Sequence, residues 1–449
     1  MKIAVVGSGI SGLLAANLLS SQHEVHLLES GNYPGGHTNT IDVPMDGGTY
    51  SVDTGFMVFN QRTYPNFCRM LDRLAVRSQE SDMSFSVRCD KTGLEYEGSS
   101  LNGVFAQRSN LFRPRFWRML SDILRFNKEA TAWLENLPES GADARLISQL
   151  TLGDFTKKHG YSQAFVEQYL IPMGAAIWSA PPQQMLAFPA RFILNFYRNH
   201  GLLQILDRPI WRTIPGGAKN YVKQLLKPLE DRVRLQSPVT KITRTGEQVL
   251  ITTEEQSPEI FDAVVLACHA DQSLNMLADP SDEECEILTA FPYQKNVVKV
   301  HDDTQILPKT KRAWASWNYL VPSDSAKQSA TKNAEVVVTY DLSRLQKVCS
   351  PRPILATLND VGMVDPSKTF RTIVYHHPLF GVDSILAQGQ HGQISGRRQT
   401  YYCGAYWGAG FHEDGVNSAL AVAKQLGITL EACSAASTKG KWSTADSAL

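Results

Sequence analysis

Apolar and polar residues along the N-terminal segment follow the order strand, turn, helix and strand. Residues 2–6 form a short apolar run typical of a buried strand, and residues 7–12 are rich in glycine. Residues 13–19 continue with the pattern of a helix, and residues 24–29 form a second strand. This change of periodicity predicts the first unit of an α/β fold.

The middle of the chain is predicted to be helical, and strands return after it. Residues 105–136 have a helical pattern, and residues 161–230 carry several helical patterns separated by prolines. Between residues 233 and 267 the pattern is again that of strands, and it ends in an apolar run typical of a buried parallel strand. Residues 293–400 mix strands with loops and are assigned to a second, sheet-containing domain. A helix is predicted from Val416 to Gln425.

The composition is that of a folded enzyme with two joined domains. The 449 residues exceed what one hydrophobic core usually organises, and 43% of them are hydrophobic and 20% charged. Lysine plus arginine equals aspartate plus glutamate at 44 each, so no overall field attracts nucleic acid. We therefore expect no nucleic-acid partner.

The cysteines and the apolar runs indicate a soluble, cytoplasmic protein. The seven cysteines are scattered without a CxxC pair, which argues against a disulfide framework and a zinc site. The N-terminal apolar stretch contains GxGxxG and lacks the cleavage site of a signal peptide. No apolar run reaches the roughly 18 residues that a membrane span needs. Residues 430–449 are expected to be a disordered tail.

The glycine-rich turn has the spacing of a dinucleotide-binding loop. Gly7 permits a tight turn, Gly9 lets the backbone approach a pyrophosphate, and Gly12 allows a helix to pack closely on a strand. Glu29 ends the second strand, where a carboxylate accepts hydrogen bonds from a ribose. An ordinary glycine turn beside a surface glutamate is the alternative, and a methyltransferase-type nucleotide fold is another.

The loop alone does not distinguish FAD from NAD, and three later segments favour FAD. Residues 34–38 (PGGHT) follow the ribose acid closely, Val239 lies in a strand pair before the buried strand, and residues 404–415 form a glycine-rich segment that opens a helix. The chain resembles the FAD-dependent amine-oxidase superfamily, the flavin-containing amine oxidoreductases. Within it, the chain is similar to a bacterial branch of predicted NAD/FAD-binding proteins related to the N-terminal part of plant cyclopropane fatty acid synthases.

The resemblance rests on sequence strings that together span nearly all of residues 1–427. These strings are VDTGFMVFNQRTYPNF, AAIWSA, NHGLLQILDRPIWRTIPGG, WASWNY and CGAYWGAGFHEDGVNSAL. The resemblance implies an α/β, glutathione-reductase-like two-domain FAD-binding fold with a Rossmann-type ββαβ FAD domain and a mixed-sheet and helical substrate domain. We expect the FAD domain to comprise residues 1–75, 215–290 and 395–429, and the substrate domain residues 76–214 and 291–394.

The resemblance also implies which residues hold the cofactor, from the pyrophosphate and ribose to the adenine and the flavin ring. The implied contacts are Gly7, Gly9, Ser11, Gly12, Glu29, Ser30, Gly35, Gly36, His37, Thr38, Gly55, Phe56, Val239, Trp407, Gly410, Phe411, His412 and Glu413. His37 stands where the superfamily usually has arginine, which weakens phosphate neutralisation. Where monoamine oxidases attach the flavin through cysteine, residues 375–378 read YHHP, so we expect non-covalent FAD.

Three residues are candidates for the chemistry. Lys299 falls where amine oxidases place a lysine that reaches flavin N5 through a water, and an exposed strand lysine is the alternative. His376 and His377 are candidates to handle a substrate proton, because histidine is the residue type whose unperturbed side chain changes charge near neutral pH. Because they precede a proline, the alternative is that they only cap backbone groups in a turn.

A basic and aromatic segment between Arg108 and Lys128 is typical of the interface of an anionic membrane. A solvated helix face over a core stripe is the alternative. The first interpretation implies peripheral contact with the inner membrane face, and the sequence leaves both interpretations open. As function we expect an FAD-dependent oxidase or desaturase that transfers hydride from an apolar substrate, a modified fatty acyl chain or membrane lipid, to flavin N5. An amine oxidase is one alternative, and a non-catalytic, flavin-loaded partner of a lipid-modifying methyltransferase is another.

Overall fold

The secondary structure is taken from a computed structural model that describes residues 1–137, 150–254, 257–323 and 337–430. The disordered tail predicted after residue 429 lies almost wholly outside the described residues. The described strands are β1 (Lys2–Val6), β2 (Glu24–Leu28), β3 (Thr40–Met45), β4 (Gly48–Asp53), β5 (Phe59–Asn60), β6 (Gln79–Glu80), β7 (Phe85–Cys89), β8 (Leu94–Glu97), β9 (Trp211–Thr213), β10 (Val233–Arg234), β11 (Val239–Thr245), β12 (Gln248–Thr253), β13 (Glu259–Phe261), β14 (Ala263–Leu266), β15 (Tyr293–His301), β16 (Trp317–Val321), β17 (Val337–Asp341), β18 (Leu355–Leu358), β19 (Thr369–Pro378) and β20 (Thr400–Tyr402).

The described α-helices cover both sheets and fill the region between them. They are α1 (Ile10–Leu19), α2 (Pro65–Arg73), α3 (Leu101–Val104), α4 (Pro114–Glu135), α5 (Leu152–Lys158), α6 (Gln163–Phe165), α7 (Ile171–Trp178), α8 (Pro182–Ala187), α9 (Ala190–Asn199), α10 (Lys219–Leu226), α11 (Ala270–Met276), α12 (Asp282–Thr289), α13 (Leu342–Leu345), α14 (Val382–Gln388), α15 (His391–Ile394) and α16 (His412–Gln425). Within the described ranges, no helix is both long and apolar enough to cross a membrane.

The first sheet is parallel, with the strand order β10-β2-β1-β14-β20. On β1, Ile3 and Val5 pack with helices α1 and α16 on one face, while Ala4 and Val6 pack into a separate core on the other. Because both faces are buried, the strands read as continuous apolar runs, as the sequence predicts for residues 2–6 and 263–267.

The second sheet is mixed, with the order β19-β15-β18-β17-β16-β7-β8. Its pairs are antiparallel except for the parallel pair of β16 and β7. One core joins this sheet to the helices between Pro114 and Asn199, and it also takes in Ile41, Val43 and Val52 from the hairpin of β3 and β4. This is the α/β architecture of two sheets that the resemblance implies, and the residue boundaries of the two domains stay a prediction.

Helix α16 begins four residues before the predicted start at Val416. The helix passes through Gly415, where a Cβ would lie 2.7 Å from Ile10 Cγ2 and 2.9 Å from Ser11 Oγ. Glycine at this position therefore allows α16 to pack closely on α1 instead of ending the helix. The carboxylate of Asp414 accepts hydrogen bonds from the backbone N–H groups of Ala409 (3.0 Å) and Phe411 (2.9 Å) and so fixes the turn before the helix.

Candidate functional site

A cavity of about 480 Å³ extends from the glycine loop after β1 to one face of the second sheet. It lies where the carboxyl ends of β1, β2 and β14 meet, the edge at which open parallel sheets bind ligands. Of the residues predicted as cofactor or catalytic contacts, those lining the cavity are Gly7, Gly9, Ser11, Glu29, Ser30, Gly35, Gly36, His37, Gly55, Phe56, His376, His377, Gly410, Phe411 and His412. Tertiary packing thus brings together segments from both ends of the chain.

The three glycines of the loop meet different requirements. Gly7 has a φ of +100°, and a Cβ there would lie 2.9 Å from the carbonyl oxygen of Ala267, directly after the neighbouring strand β14. A Cβ on Gly12 would collide with the carbonyl oxygen of Gly7, so Gly12 shapes the loop from outside the cavity lining. A Cβ on Gly9 would meet nothing within 4 Å, so the backbone there faces open space.

Two further glycines complete the polar end of the cavity. Gly35 and Gly36 have φ values of +128° and +57°, which favour residues without a Cβ. The N–H of Gly35 donates to the carbonyl oxygen of Ser8 (3.0 Å), and a Cβ on Gly36 would lie 3.1 Å from Gly9 Cα. The two glycine loops therefore meet edge to edge and leave a backbone-lined cradle that fits a pyrophosphate.

Glu29 lies at the end of β2 and turns its carboxylate toward this cradle. Its Oε2 accepts hydrogen bonds from the N–H (2.8 Å) and the hydroxyl (2.6 Å) of Ser8, and its Oε1 accepts one from the N–H of Gly31 (2.7 Å). Sequence reasoning did not single out Ser8, although it is the residue between the first two glycines. These bonds hold the carboxylate at the cavity wall, in the position predicted for a ribose contact.

The aromatic end of the cradle is a group of neutral imidazoles. The His37 ring stacks on Tyr375 at 4.9 Å between centroids and lies 5.2 Å from the ring of His377. Burial lowers the pKa of His37 to about 4 and that of His377 to about 3. Within the described chain His37 Nε2 is buried without a hydrogen-bond partner, so it is available to a polar ligand. His37 is therefore uncharged near neutral pH and offers a hydrogen bond instead of the positive charge of arginine.

Sequence reasoning also missed His269, which follows β14 and lines the cavity. Its ring stacks on Tyr293 at 4.2 Å, and burial lowers its pKa to about 4. Its signal in the sequence was its place directly after a buried parallel strand, where site residues gather. Tyr375 precedes the two predicted histidines, and sequence reasoning did not single it out either; its hydroxyl lies 2.8 Å from Thr54 Oγ1.

The N-terminus of helix α16 reaches the cavity at His412. The His412 ring lies flat on Phe56, with 3.5 Å between centroids and 11° between planes. Its Nε2 lies 3.1 Å from both Thr38 Oγ1 and the hydroxyl of Tyr221, and burial lowers its pKa. The 14-residue helix directs the partial positive charge of its N-terminus here, which suits negative charge on a flavin ring.

Lys299, predicted as a catalytic residue, does not line the cavity. Successive strand residues face opposite sides of a sheet, and on β15 it is Val298 that lines the cavity. The Lys299 ammonium lies on the other side and forms an ion pair with Asp360 at 2.8 Å. This geometry matches the alternative of a partly exposed strand lysine.

Glu413 and Trp407 do not line the cavity, and their predicted cofactor contacts stay predictions. The Glu413 carboxylate accepts the N–H groups of Asn66 (3.0 Å) and Phe67 (2.9 Å) and caps helix α2. Trp407 packs against His391, 4.6 Å between centroids, on the far side of its turn. A sequence motif places such residues near a cofactor without deciding which way their side chains point.

Thr38 and Val239 also lie outside the cavity lining. The Thr38 hydroxyl takes part in the buried network with Tyr221 and His412, and the predicted cofactor contact of Thr38 stays a prediction. Val239 begins β11, and two residues earlier the N–H of Ser237 donates to the backbone oxygen of Glu29 (2.8 Å). The adenine contact of Val239 stays a prediction.

The far end of the cavity is apolar. It lies against the inner face of the second sheet and against helix α7, and its main side chains are Met83, Phe85, Met173, Ile177, Val298, Trp317, Tyr340 and Leu358. Among the described residues that line the cavity, Glu29 is the only carboxylate, and it lies at the opposite, glycine-rich end. This end can hold an apolar group and exclude water from it.

Comparison with known proteins agrees with this geometry. The sequence model of the family described as flavin containing amine oxidoreductase matches residues 10–305, about two thirds of the chain. Flavin-containing amine oxidase A of Equus caballus is 23% identical over 269 residues, which cover 56% of this chain and 46% of that protein. The same enzyme of Bos taurus is 23% identical over 271 residues, covering 58% and 47%. The match thus spans about half the length of these relatives.

Solved structures share the fold over nearly the whole chain. Cyclohexylamine oxidase from Brevibacterium oxydans IH-35A has a TM-score of 0.67 at 15% identity, covering 95% of this chain and 99% of that one. A CLA-producing fatty acid isomerase from P. acnes has a TM-score of 0.66 at 16% identity, covering 94% and 98%. A putative protoporphyrinogen oxidase from Exiguobacterium sp. 255-15 has a TM-score of 0.63 at 17% identity, covering 95% and 98%. With the family model matched and the glycine cradle in place, the chain belongs to the flavin-containing amine oxidoreductase family, and its cofactor is FAD.

Proposed function

We propose that this flavoprotein is an oxidase or desaturase that acts on an apolar substrate, with a fatty acyl chain as the reacting group. The observation that supports this proposal is the apolar end of the cavity, where side chains such as Met173, Ile177 and Leu358 surround the space. Such a lining favours a hydrocarbon chain, because each buried methylene contributes about 0.8 kcal/mol.

The residues of the chain divide the work along the cavity. The glycine cradle and Glu29 would hold the dinucleotide half of FAD, and the N-terminus of α16 would stabilise negative charge on the flavin. When bound, the flavin supplies a two-electron acceptor. His377 accepts a hydrogen bond at Nδ1 from Asn296 (2.8 Å), so its own proton lies at Nε2. The apolar wall excludes water, which keeps the reacting bond away from solvent protons.

An amine substrate is the alternative, and the charge of the cavity counts against a cationic one. An ammonium group placed among these apolar side chains would lack a counter-charge, because Glu29 lies at the other end. An unpaired buried charge costs several kcal/mol. A fatty acid isomerase of the same fold shows that the fold admits acyl chains in that protein, and this supports the lipid assignment.

Anaerobic mixing of the FAD-loaded protein with candidate substrates tests the proposal. We expect fatty acyl compounds to bleach the flavin absorbance band and primary amines of equal chain length to leave it unchanged. Bleaching by the amines alone would replace the acyl proposal by amine oxidation. A band that no compound bleaches, together with tight binding to a lipid-modifying methyltransferase, would favour the non-catalytic partner.

A further inference from the structure

A second pocket, of about 850 Å³, lies beside the cavity. We call it the vestibule, and its main features are three arginines, Arg62, Arg191 and Arg198, and an aromatic wall. The wall contains Phe196 and Phe411, which line both the vestibule and the cavity. Only the thickness of these aromatic side chains therefore separates a ligand in the vestibule from the cavity.

The arginines of the vestibule keep donors for a ligand. Arg191 and Arg198 lie about two turns apart on helix α9, so they share one face of it. Both are exposed, and neither forms an ion pair within the described chain; Arg198 donates to Asn195 Oδ1 (2.9 Å). Among the residues that the structure describes, Arg62 forms an ion pair only with Asp207, whose side chain is 82% exposed, and such surface pairs contribute little.

Two carboxylates also border the vestibule, but both already accept hydrogen bonds from backbone N–H groups. Glu413 accepts the N–H groups of Asn66 and Phe67, and Asp414 Oδ2 accepts those of Ala409 and Phe411. Both residues are part-buried or buried and act as helix and turn caps. The side chains that face an incoming ligand are therefore mainly the guanidinium groups.

The aromatic wall is a stack of three rings. Phe196 lies 3.7 Å from the ring of His200 and 4.8 Å from that of Phe411, at interplanar angles of 18° and 27°. Burial lowers the pKa of His200 to about 4, so the stack carries no charge near neutral pH. From the vestibule inward, the lining thus changes from cationic to neutral aromatic and then to apolar. An anionic amphiphile has the matching order, with a charged head group followed by a hydrocarbon chain.

We propose that the vestibule binds the anionic head group, a carboxylate or a phosphate, of an amphiphile whose hydrocarbon chain passes the aromatic wall into the cavity. Guanidinium groups form paired, charge-assisted hydrogen bonds with such oxygens. The proposal rests on the proposed function and narrows its substrate class to anionic amphiphiles. Arg191 and Arg198 then set specificity for the head group without touching the reacting bond.

Binding to the FAD-loaded protein, measured by calorimetry without turnover, tests the proposal. Oleate and oleamide share one hydrocarbon chain and differ in the charge of the head group. We expect oleate to bind about tenfold or more tightly than oleamide, and the double variant Arg191→Gln/Arg198→Gln to lose most of this preference. Arg312→Gln, which removes an exposed arginine outside the vestibule, should keep it. Dodecyl phosphate binding more tightly than oleate would assign the site to phosphate head groups.

Equal affinity of the unaltered protein for oleate and oleamide would overturn the proposal, and this comparison needs no variant to fold. An oleate preference that survives in the double variant would overturn it as well. The proposed function fails separately, because it depends on bleaching of the flavin band. A charge preference in binding without bleaching would leave the head-group site in place and remove the acyl oxidation.

Discussion

The side-chain amide of Asn296 donates to Nδ1 of His377 at 2.8 Å. The donor and acceptor in this bond follow from the backbone N–H of Val297, which is connected to Asn296 through the side chain of Asn359. The N–H of Val297 can only donate, so Asn359 Oδ1 accepts it (2.9 Å), and Asn359 Nδ2 must donate to Asn296 Oδ1 (2.8 Å). Asn296 Nδ2 is then left to face His377. The backbone N–H of Val297 thus fixes the orientation of the buried side-chain amides of Asn359 and Asn296. Because Asn296 donates to Nδ1 of His377, the His377 proton stays at Nε2.

We predict that Asn296→Asp introduces a pH-dependent step into flavin reduction. Burial holds the pKa of His377 at about 3 in the unaltered protein, so the ring stays neutral in the physiological range. A carboxylate beside Nδ1 favours the charged imidazole and raises its pKa. The rate of flavin reduction measured against pH should gain a transition at a higher pH than any His377 transition of the unaltered protein. The control is Lys299→Met, whose rate of flavin reduction should stay within a few-fold of that of the unaltered protein. A rate of Asn296→Asp that does not change with pH would contradict a role of Asn296 in setting the protonation of His377.

Glu29→Ala should weaken the retention of FAD. The substitution removes the hydrogen-bond acceptor that holds Ser8 and Gly31 and that we propose also holds the ribose. Each charge-assisted hydrogen bond contributes about 1.5–3 kcal/mol, so the dissociation constant should rise by about tenfold or more. Equilibrium dialysis of FAD measures this, with Lys299→Met as the matched control. Unchanged affinity would show that Glu29 is not the ribose acid.

The flavin should leave the protein on denaturation. The segment from Tyr375 to Pro378 lines the cavity without a cysteine, and burial raises the pKa of the lining thiol of Cys268 to about 11. A thiol kept protonated in this way is a weak nucleophile. After acid precipitation we expect all FAD absorbance in the supernatant. Yellow colour in the precipitated polypeptide would show a covalent bond instead.

Stability should fall as the pH drops below about 6.5, in part because of His301. His301 is fully buried, its Nδ1 accepts the N–H of Asp303 (3.1 Å), and its Nε2 lies 2.7 Å from Thr357 Oγ1. Burial lowers its pKa to about 4, from 6.5 in the unfolded chain. The unfolded state therefore binds the proton first, and stability that is complete above pH 6.5 is lost toward pH 4.

The loss attributable to His301 should be on the order of 3 kcal/mol across this range. His301→Gln should have a shallower fall of the melting temperature with pH, although its stability at neutral pH is lower. Thermal denaturation at a series of pH values measures both slopes. His301 lies outside the cavity lining, so saturating FAD should leave the difference between the slopes unchanged.

We propose peripheral binding to anionic membranes through the start of helix α4. Leu101 on α3 is 79% exposed, Phe112 just before α4 is 86% exposed, and Trp117 and Leu124 on α4 are also exposed. Replacing Arg113, Arg115 and Arg118 with glutamine should reduce binding to anionic vesicles, since each cation contributes up to about 1 kcal/mol. The effect should be less than the sum, because Arg118 already pairs with Asp122 (3.5 Å).

Vesicle flotation at low and high salt measures this binding, and the triple variant should lose most of the salt dependence. Phe112→Ser should weaken the binding at both salt concentrations, because it removes apolar area and not charge. The control is Arg312→Gln. If the unaltered protein does not float with anionic vesicles at low salt, the membrane proposal is wrong and this patch is a solvated helix face.

The sequence alone determined the dinucleotide end of the site. Strand β1, the glycine loop, helix α1 and strand β2 are contiguous, and their periodicity and glycine spacing depend on contacts between near neighbours in the chain. The place of Glu29 follows from the same unit, because the end of β2 meets the end of β1 in a parallel sheet. The family resemblance extended this prediction to Gly35, Phe56 and His412, which all line the cavity.

Only the tertiary structure decided which side chains face the cavity and what lies beyond it. On β15, Val298 and not Lys299 points inward, because the face of a strand is set by what packs against it and not by its own pattern. The Glu413 carboxylate lies outside the cavity lining and accepts hydrogen bonds from the backbone N–H groups of Asn66 and Phe67 in the first turn of α2. The vestibule arises because Phe196 of α9 and Phe411 just before α16, more than two hundred residues apart in the chain, stack on each other. These contacts join residues that are far apart in the chain and form only when the whole core packs, so no local sequence pattern predicts them.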